Sequence, residues 1–179
     1  MDELKNNIKE AHTEMIQKWD RMLPTSELFI DRWEKAKLLG FGEGSSVYDS
    51  CVVLGKVTVG KNVWIGPFTL LDGSGGLIIE DNCNVGAGVQ MYSHDAVKRA
   101  LSGNKLDVER ASTFIGHNCH IGPGCIFLKG VSIGHHSVIG TGCVVTKSFP
   151  PYSVIVGVPG RKVGEVVIDR DEIEIKYIK

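Results

Sequence analysis

The chain has 179 residues, with 20 Lys and Arg against 21 Asp and Glu, giving a formal net charge of −1. That balance argues against a nucleic-acid binder, which needs a basic surplus, and 42 % hydrophobic residues suffice for one compact core. No apolar run approaches the roughly 20 residues of a membrane span. The opening Met1-Asp2-Glu3-Leu4-Lys5 lacks the pattern of a signal peptide, so a cytoplasmic protein is expected.

The first predicted element is a helix. Leu4, Ile8, Ala11, Met15, Trp19 and Met22 recur at spacings of three and four, as on one helical face. Pro24 ends the run. Thr25 and Ser26 are N-cap residues for a second helix carrying Phe29, Trp33 and Ala36, with Gly40 suited to its C-terminus. Residues 1–40 are expected to cap the open end of the solenoid that follows. A part in shaping an acceptor site is left open.

From Ile115 onward the chain repeats every six residues: Ile115, Ile121, Phe127, Ile133, Ile139 and Val145 share one phase. Gly follows at 116, 122, 134 and 140, and a small or short residue stands two places before: Thr113, Cys119, Cys125, Val131, Ser137, Cys143. The phase also runs upstream through Val47, Val53, Val59, Ile65 and Leu71. It resumes at Ile79, Val85 and Met91, displaced by the insert Asp72-Gly73-Ser74-Gly75-Gly76. A six-residue period is a signature of parallel β-helices, one apolar side chain pointing inward per short strand. The glycines are expected to supply backbone angles that other residues resist. The fold class expected is an all-β solenoid, a parallel β-helix over 41–160 of about four to five coils, followed by a tail at 161–179.

The five cysteines, Cys51, Cys83, Cys119, Cys125 and Cys143, all fall two residues before a repeat position. One packing rule covers them, so they read as small buried residues rather than nucleophiles or disulfides. Free buried thiols also favour a reducing compartment.

The repeat is lost between Met91 and Thr113, and the charged stretch 92–112 is expected to form a long protruding loop of functional character. His94 stands where the chain leaves the last regular strand. One side of the loop is thus anchored on a rigid scaffold, which suits a catalytic group.

Three features together resemble the hexapeptide-repeat acyltransferases, and more narrowly the maltose/galactoside-type and surface-polysaccharide sugar O-acetyltransferases. They are the repeat itself, the segment Gln90-Met91-Tyr92-Ser93-His94-Asp95, and the run from Ile139 through Val145-Thr146-Lys147-Ser148-Phe149-Pro150-Pro151 to Gly157-Val158-Pro159-Gly160-Arg161. The resemblance implies the left-handed form of the β-helix and a homotrimer. It also implies acetyl-coenzyme A bound along the coil between subunits by Gly122, Gly140, Thr141, Thr146, Lys147 and Arg161. Lys162 extends the basic cluster, which suits the phosphates of the coenzyme. His94 would be the general base acting on a sugar hydroxyl, since its ordinary pKa lies near neutrality. Asp95, Glu109 or a backbone carbonyl would hold its other nitrogen. Asp72, Tyr92 and Asp95 are candidates for acceptor contacts, Asp72 reading equally as a turn residue before Gly73.

The remaining histidines, His12, His117, His120, His135 and His136, read mainly as surface. A trimeric β-helix carbonic anhydrase also has a His after an early repeat, but its other two ligand positions fall here on Pro123 and Leu128. Neither can bind Zn²⁺, so no metal cofactor is expected. The chain departs from the galactoside and maltose branch at Trp64-Ile65-Gly66, where that branch has an Asn, and at His120, where a Trp is frequent. Acceptor contacts should differ accordingly. The expected activity is acetyl transfer to a hydroxyl of a sugar or nucleotide-sugar. Amino-sugar N-acetylation and a non-catalytic trimeric scaffold remain as alternatives.

Overall fold

The structure, a computed structural model, describes residues 1–170 and 172–178. Its body is a three-faced coil of parallel strands. The first face stacks β1 (Ser46–Val47), β3 (Trp64–Ile65), β5 (Asn84–Val85), β10 (His120–Ile121), β13 (Val138–Ile139) and β15 (Ser153–Val156). The second and third faces share β2 (Val52–Val59) and β4 (Leu70–Ile79), which each bend through one corner. The second continues with β6 (Gln90–Met91), β11 (Ile126–Phe127) and β14 (Val144–Val145), and the third with β9 (Thr113–Ile115) and β12 (Ser132–Ile133).

The apolar residue of each repeat lies directly under its counterpart in the next coil. On the first face the register runs Val47↔Ile65↔Val85↔Ile121↔Ile139↔Ile155, and all six side chains are fully buried. Leu71, Met91, Phe127 and Val145 make the corresponding column on the second face. Ile79, Ile115 and Ile133 do so on the third, with Phe149 completing it. Each such burial contributes about 1.5–3 kcal/mol, so the columns are the main source of stability.

All five cysteines are buried and free. Their position inside the corner has a polar side: Cys51, Cys83, Cys119 and Cys125 donate from Sγ to the carbonyls of Gly66, Gly116, Gly134 and Gly140 in the next coil. Thr69 and Ser137 use their hydroxyls on Gly66 and Gly134. Burial pushes the Cys143 thiol up to about 11, in keeping with packing rather than nucleophilic use.

The glycines after the apolar positions have a different cause from the one expected. Gly116, Gly122, Gly134 and Gly140 are not among the residues with positive φ. A Cβ on Gly122 would stand 2.6 Å from the Thr141 nitrogen of the next coil. Close approach of successive coils, not backbone angle, excludes a side chain there.

The amino-terminal region differs from expectation in its boundaries. α1 spans Asp2–Trp19 and buries none of its residues. Thr25 and Ser26 lie in a 3-10 turn, and the second helix, α2 (Arg32–Leu38), begins later, capped by Asp31, whose side chain accepts from Trp33 N at 2.8 Å. Phe29 is consequently off the helix and exposed. Gly40 follows α2 with φ +70, and Phe41 N donates to Ala36 O at 3.0 Å, the closure expected of a left-handed residue after a helix. α2 is the element that covers the coil end: Ala36 and Phe41 join the core. Lys35 Nζ also donates to the carbonyls of Tyr48, Asp49 and Cys51, satisfying acceptors that the first coil leaves uncovered.

The carboxyl-terminal residues expected as a tail form a hairpin. β16 (Arg161–Asp169) pairs antiparallel with β15, and β17 (Glu172–Tyr177) with β16, extending the first face. None of the described helices is long and apolar enough to cross a membrane.

Candidate active site

The site is built where two insertions stack at one corner, between the second and third faces. β4 and β6 run in register with Leu71 beside Met91, so Asp72 lies one coil from Tyr92, next to the point where the chain departs. Beyond that point β7 (His94–Asp95) pairs antiparallel with β8 (Glu109–Arg110), and α3 (Val97–Leu101) lies between them. The loop expected at 92–112 is therefore a strand-bound excursion whose base is closed.

Asp72 is the buried acid of this corner, its side chain 1 % exposed. Oδ1 accepts from Ser74 N at 2.9 Å. Oδ2 accepts from Ser93 N at 3.1 Å and faces His94 Nδ1 at 2.5 Å. Burial pushes this carboxyl up, but the hydrogen bonds from Ser74, Ser93 and His94 outweigh it and hold the carboxyl down at about 2. Asp72 is therefore ionised near neutrality and can only accept, so the proton between the two groups sits on Nδ1. That leaves His94 Nε2 on the other side of a ring that is 36 % exposed. Among the described residues nothing bonds Nε2. An imidazole whose Nδ1 proton is fixed by an ionised acid, with Nε2 facing away from that acid, is the arrangement a general base requires.

The other acids of the corner have different partners. Asp95 Oδ2 takes Lys129 Nζ at 2.8 Å and its Oδ1 accepts from Val97 N at 3.1 Å. Glu109 takes Lys98 at 2.6 Å and Lys129 at 3.3 Å. Lys129 holds Asp95, and Lys98 holds Glu109, below the usual carboxylate range. Neither acid holds His94, so the orienting role expected of Asp95 or Glu109 falls to Asp72. Asp72 in turn has both oxygens engaged and no surface to offer an acceptor. Tyr92 Oη donates to Gln90 Oε1 at 2.7 Å, at the edge of the same corner. Lys129, which ties the loop base to the next coil, carried no signal in sequence. Register could have revealed Asp72: it occupies the place in its coil that Tyr92 occupies in the next.

The residues expected at the coenzyme fall on two corners. Gly122, Gly140 and Thr141 stack between the first and second faces, with Gly122 N donating to Ile139 O at 2.7 Å. Thr146 and Lys147 follow β14 at the corner that also holds His94, both exposed, with Lys147 Nζ 5.6 Å from the Phe149 ring centre. Arg161 pairs with Val156 at the end of the first face. Lys162 is bound to Glu165 at 2.6 Å, so its charge is already answered. Within one chain these groups border the second face from both edges rather than forming one cluster.

The bacterial transferase hexapeptide model (six repeats) matches residues 112–147, and the hexapeptide repeat of succinyl-transferase matches residues 73–91. Serine acetyltransferase of Mycobacterium tuberculosis is 32 % identical over 113 residues, 63 % of this chain and 48 % of that protein. The chain thus spans about half the length of this curated relative. A galactoside acetyltransferase in complex with coenzyme A superposes with a TM-score of 0.69 at 25 % identity, over 88 % of this chain and 82 % of that one. AntD, an N-acyltransferase from Bacillus cereus in complex with dTDP and 3-hydroxybutyryl-CoA, superposes with a TM-score of 0.60 at 28 % identity, over 69 % and 70 %.

The matched repeats and the three-faced parallel coil agree: residues 73–91 and 112–147 carry hexapeptide repeats, and the fold is the parallel β-helix that such repeats build. Within that build it is similar to galactoside acetyltransferase and related hexapeptide-repeat transferases.

Proposed function

We propose that the chain is an acyl-coenzyme A-dependent acetyltransferase that moves an acetyl group from acetyl-coenzyme A to a hydroxyl of a sugar or nucleotide-sugar, serving surface-polysaccharide biosynthesis. The observation that carries this reading is the Asp72–His94 pair, a buried ionised acid 2.5 Å from an imidazole whose other nitrogen is accessible. A passive scaffold gains nothing from fixing a tautomer at the surface. The likeness to a galactoside acetyltransferase crystallised with coenzyme A supports the donor and the sugar class of acceptor.

The chemistry runs as direct transfer. The acceptor hydroxyl gives its proton to His94 Nε2 while its oxygen bonds to the thioester carbonyl carbon. The carbon–sulfur bond of the tetrahedral adduct then breaks, and the imidazolium returns the proton to the leaving thiolate. Asp72 stabilises the imidazolium formed in between and keeps its charge throughout. Lys147 and Arg161 meet phosphates of the coenzyme. Because they lie on opposite edges of the second face, a complete coenzyme site draws on neighbouring subunits, in keeping with a homotrimer. Thr141, Thr146 and the backbone of Gly122 and Gly140 line its path.

A second reading is N-acylation of an amino sugar carried on a nucleotide. The similarity to AntD, crystallised with dTDP and an acyl-coenzyme A, favours it, and the same base would take a proton from the ammonium before attack or from the amine nitrogen as it bonds to the carbonyl carbon. Screening hydroxyl and amino acceptors with acetyl-coenzyme A, read by mass shift, separates the two. His94→Ala tests the core of both: turnover should fall about 10²–10⁴-fold with little change in coenzyme affinity. Near-normal turnover in that variant would remove His94 from the mechanism.

A further inference from the structure

The corner between the third and first faces carries chemistry that acyl transfer does not use. One column there is left-handed in every coil: Asn62, Asn82, Asn118, His136 and Tyr152 have φ of 54, 57, 57, 54 and 59°. Asn suits that conformation at little cost, and three coils use it. The coil after Asn118 places His136 there instead. In the neighbouring column His117 and His135 lie one coil apart, rings stacked at 4.8 Å and 9°, the spacing of adjacent strands. His136 stands edge-on to both, at 5.1 Å and 85° from His117 and 5.1 Å and 86° from His135.

We propose that His117, His135 and His136 bind one late first-row divalent cation of the zinc, nickel and copper group, clipping two successive coils together. Each offers one ring nitrogen, and the three nitrogens lie within 4.8 Å of one another. Among the described residues no other such group of His, Cys, Asp or Glu occurs. All three side chains are partly exposed, so an ion can reach them from solvent. Imidazole nitrogen selects this group of cations over Mg²⁺ and Ca²⁺, which take oxygen.

Two details agree with a ligand set. His135 Nδ1 and His136 Nδ1 are 2.9 Å apart. Two nitrogens on a tetrahedral zinc at about 2.0–2.1 Å stand roughly 3.3 Å apart, so a few tenths of an ångström of opening admits the ion. His136 also has an outer partner, since Asn118 Nδ2 lies 2.8 Å from its Nε2. Turning that amide over presents its oxygen to an Nε2–H, the support that a metal-bound imidazole ordinarily has. The fourth position stays open to water. The corner is not the one that holds Asp72 and His94, so the ion acts on the scaffold.

The test uses tag-free full-length protein, stripped with chelator and dialysed. Titration calorimetry with Zn²⁺ should find one site per chain, and Zn²⁺ at about a hundredfold above its Kd should raise Tm by about 5–10 °C. His136→Asn restores the residue that three other coils carry in this conformation, so it should fold and lose the site. His117→Phe keeps the ring stack and removes one ligand, and should weaken binding at least tenfold. If His136→Asn fails to fold, His117→Phe decides alone. Absence of stoichiometric binding in the parent protein, or binding as tight in a folded variant, overturns the proposal.

Discussion

Replacing Asp72 by Asn removes one charge and leaves the shape almost unchanged, yet the structure implies two separate losses. Oδ1 accepts from Ser74 N, and Oδ2 accepts from Ser93 N and from His94 Nδ1. An amide has one oxygen, so either orientation sets its NH₂ against a backbone N–H. If NH₂ takes the Oδ2 place it also donates to His94 Nδ1, which drives the ring proton to Nε2 and abolishes the base. The thermodynamic loss follows from the carboxyl being held at about 2 against an ordinary 3.8. At 1.36 kcal/mol per unit this difference is worth about 2 kcal/mol, which for a chain of this size lowers Tm by about 4–8 °C. The catalytic loss should be larger, about 10²–10⁴-fold in kcat, with KM for acetyl-coenzyme A little changed. Release of free coenzyme A thiol measures turnover well below Tm, and scanning calorimetry measures stability. A folded Asp72→Asn protein that keeps turnover within threefold of the parent would show that Asp72 does not set the tautomer. A Tm loss without a rate loss would reduce Asp72 to a structural acid.

The depressed carboxyl also sets a pH window. Because the folded pKa lies below the unfolded one, the stabilisation is complete above about pH 4 and is lost as pH falls from there through about 2; denaturant titrations at stepped pH should show that slope flattened in Asp72→Asn. Removing Lys147 and Arg161 together should raise KM for acetyl-coenzyme A more than it lowers kcat, since phosphate contacts are alike in ground and transition states; calorimetry finding unchanged coenzyme affinity would refute those contacts. Light scattering should report a trimer, and mixing inactive His94→Ala with the Lys147, Arg161 double variant, assayed at acetyl-coenzyme A far below that variant's KM where it too turns over little, should restore activity after subunit exchange. A trimer that regains nothing would place each site within one chain.

The body of the fold was legible because its driving force is periodic. A residue such as Ile121 appears every six positions, and structure places it between Val85 and Ile139 in one column. The cysteine rule held for the same reason. What sequence missed was set by contacts across coils. The role of Gly122 comes from the Thr141 nitrogen 2.6 Å from where a Cβ would stand, and no local pattern states that distance. The start of α2 at Arg32 rather than at Thr25 depends on which residue, Asp31, turns its carboxylate to Trp33 N. The hairpin of β16 and β17 is antiparallel and outside the six-residue period, so the repeat gave no hint of it. At the site, His94 was legible from its place at the edge of a break. Its partner was not, because Asp95 is adjacent in sequence and Asp72 is adjacent only in space.

The position of Asp72 explains why the site needs two insertions and not one. The residue after the inward apolar position of the second face forms its own column: Leu54, Asp72, Tyr92, Leu128, Thr146. Where the corner is regular this place faces outward, and Leu54 and Leu128 are 46 % and 43 % exposed. Asp72 at the same place is 1 % exposed. A carboxylate so buried is tolerated only with its acceptors filled, and a tight corner has few amides to spare. The insert after Asp72 brings Ser74 N to one oxygen. The longer excursion one coil on brings Ser93 N and His94 to the other, and Ser93 Oγ accepts from Gly75 N at 2.7 Å, binding the two insertions to each other. Shortening either one would leave one oxygen of a buried carboxylate without a donor, and the cheapest relief would be to turn Asp72 outward and release His94. The breaks in the repeat are thus the condition for placing an ionised acid and the imidazole it holds on a scaffold whose regular coils bury apolar side chains and small hydroxyls and thiols but no charge.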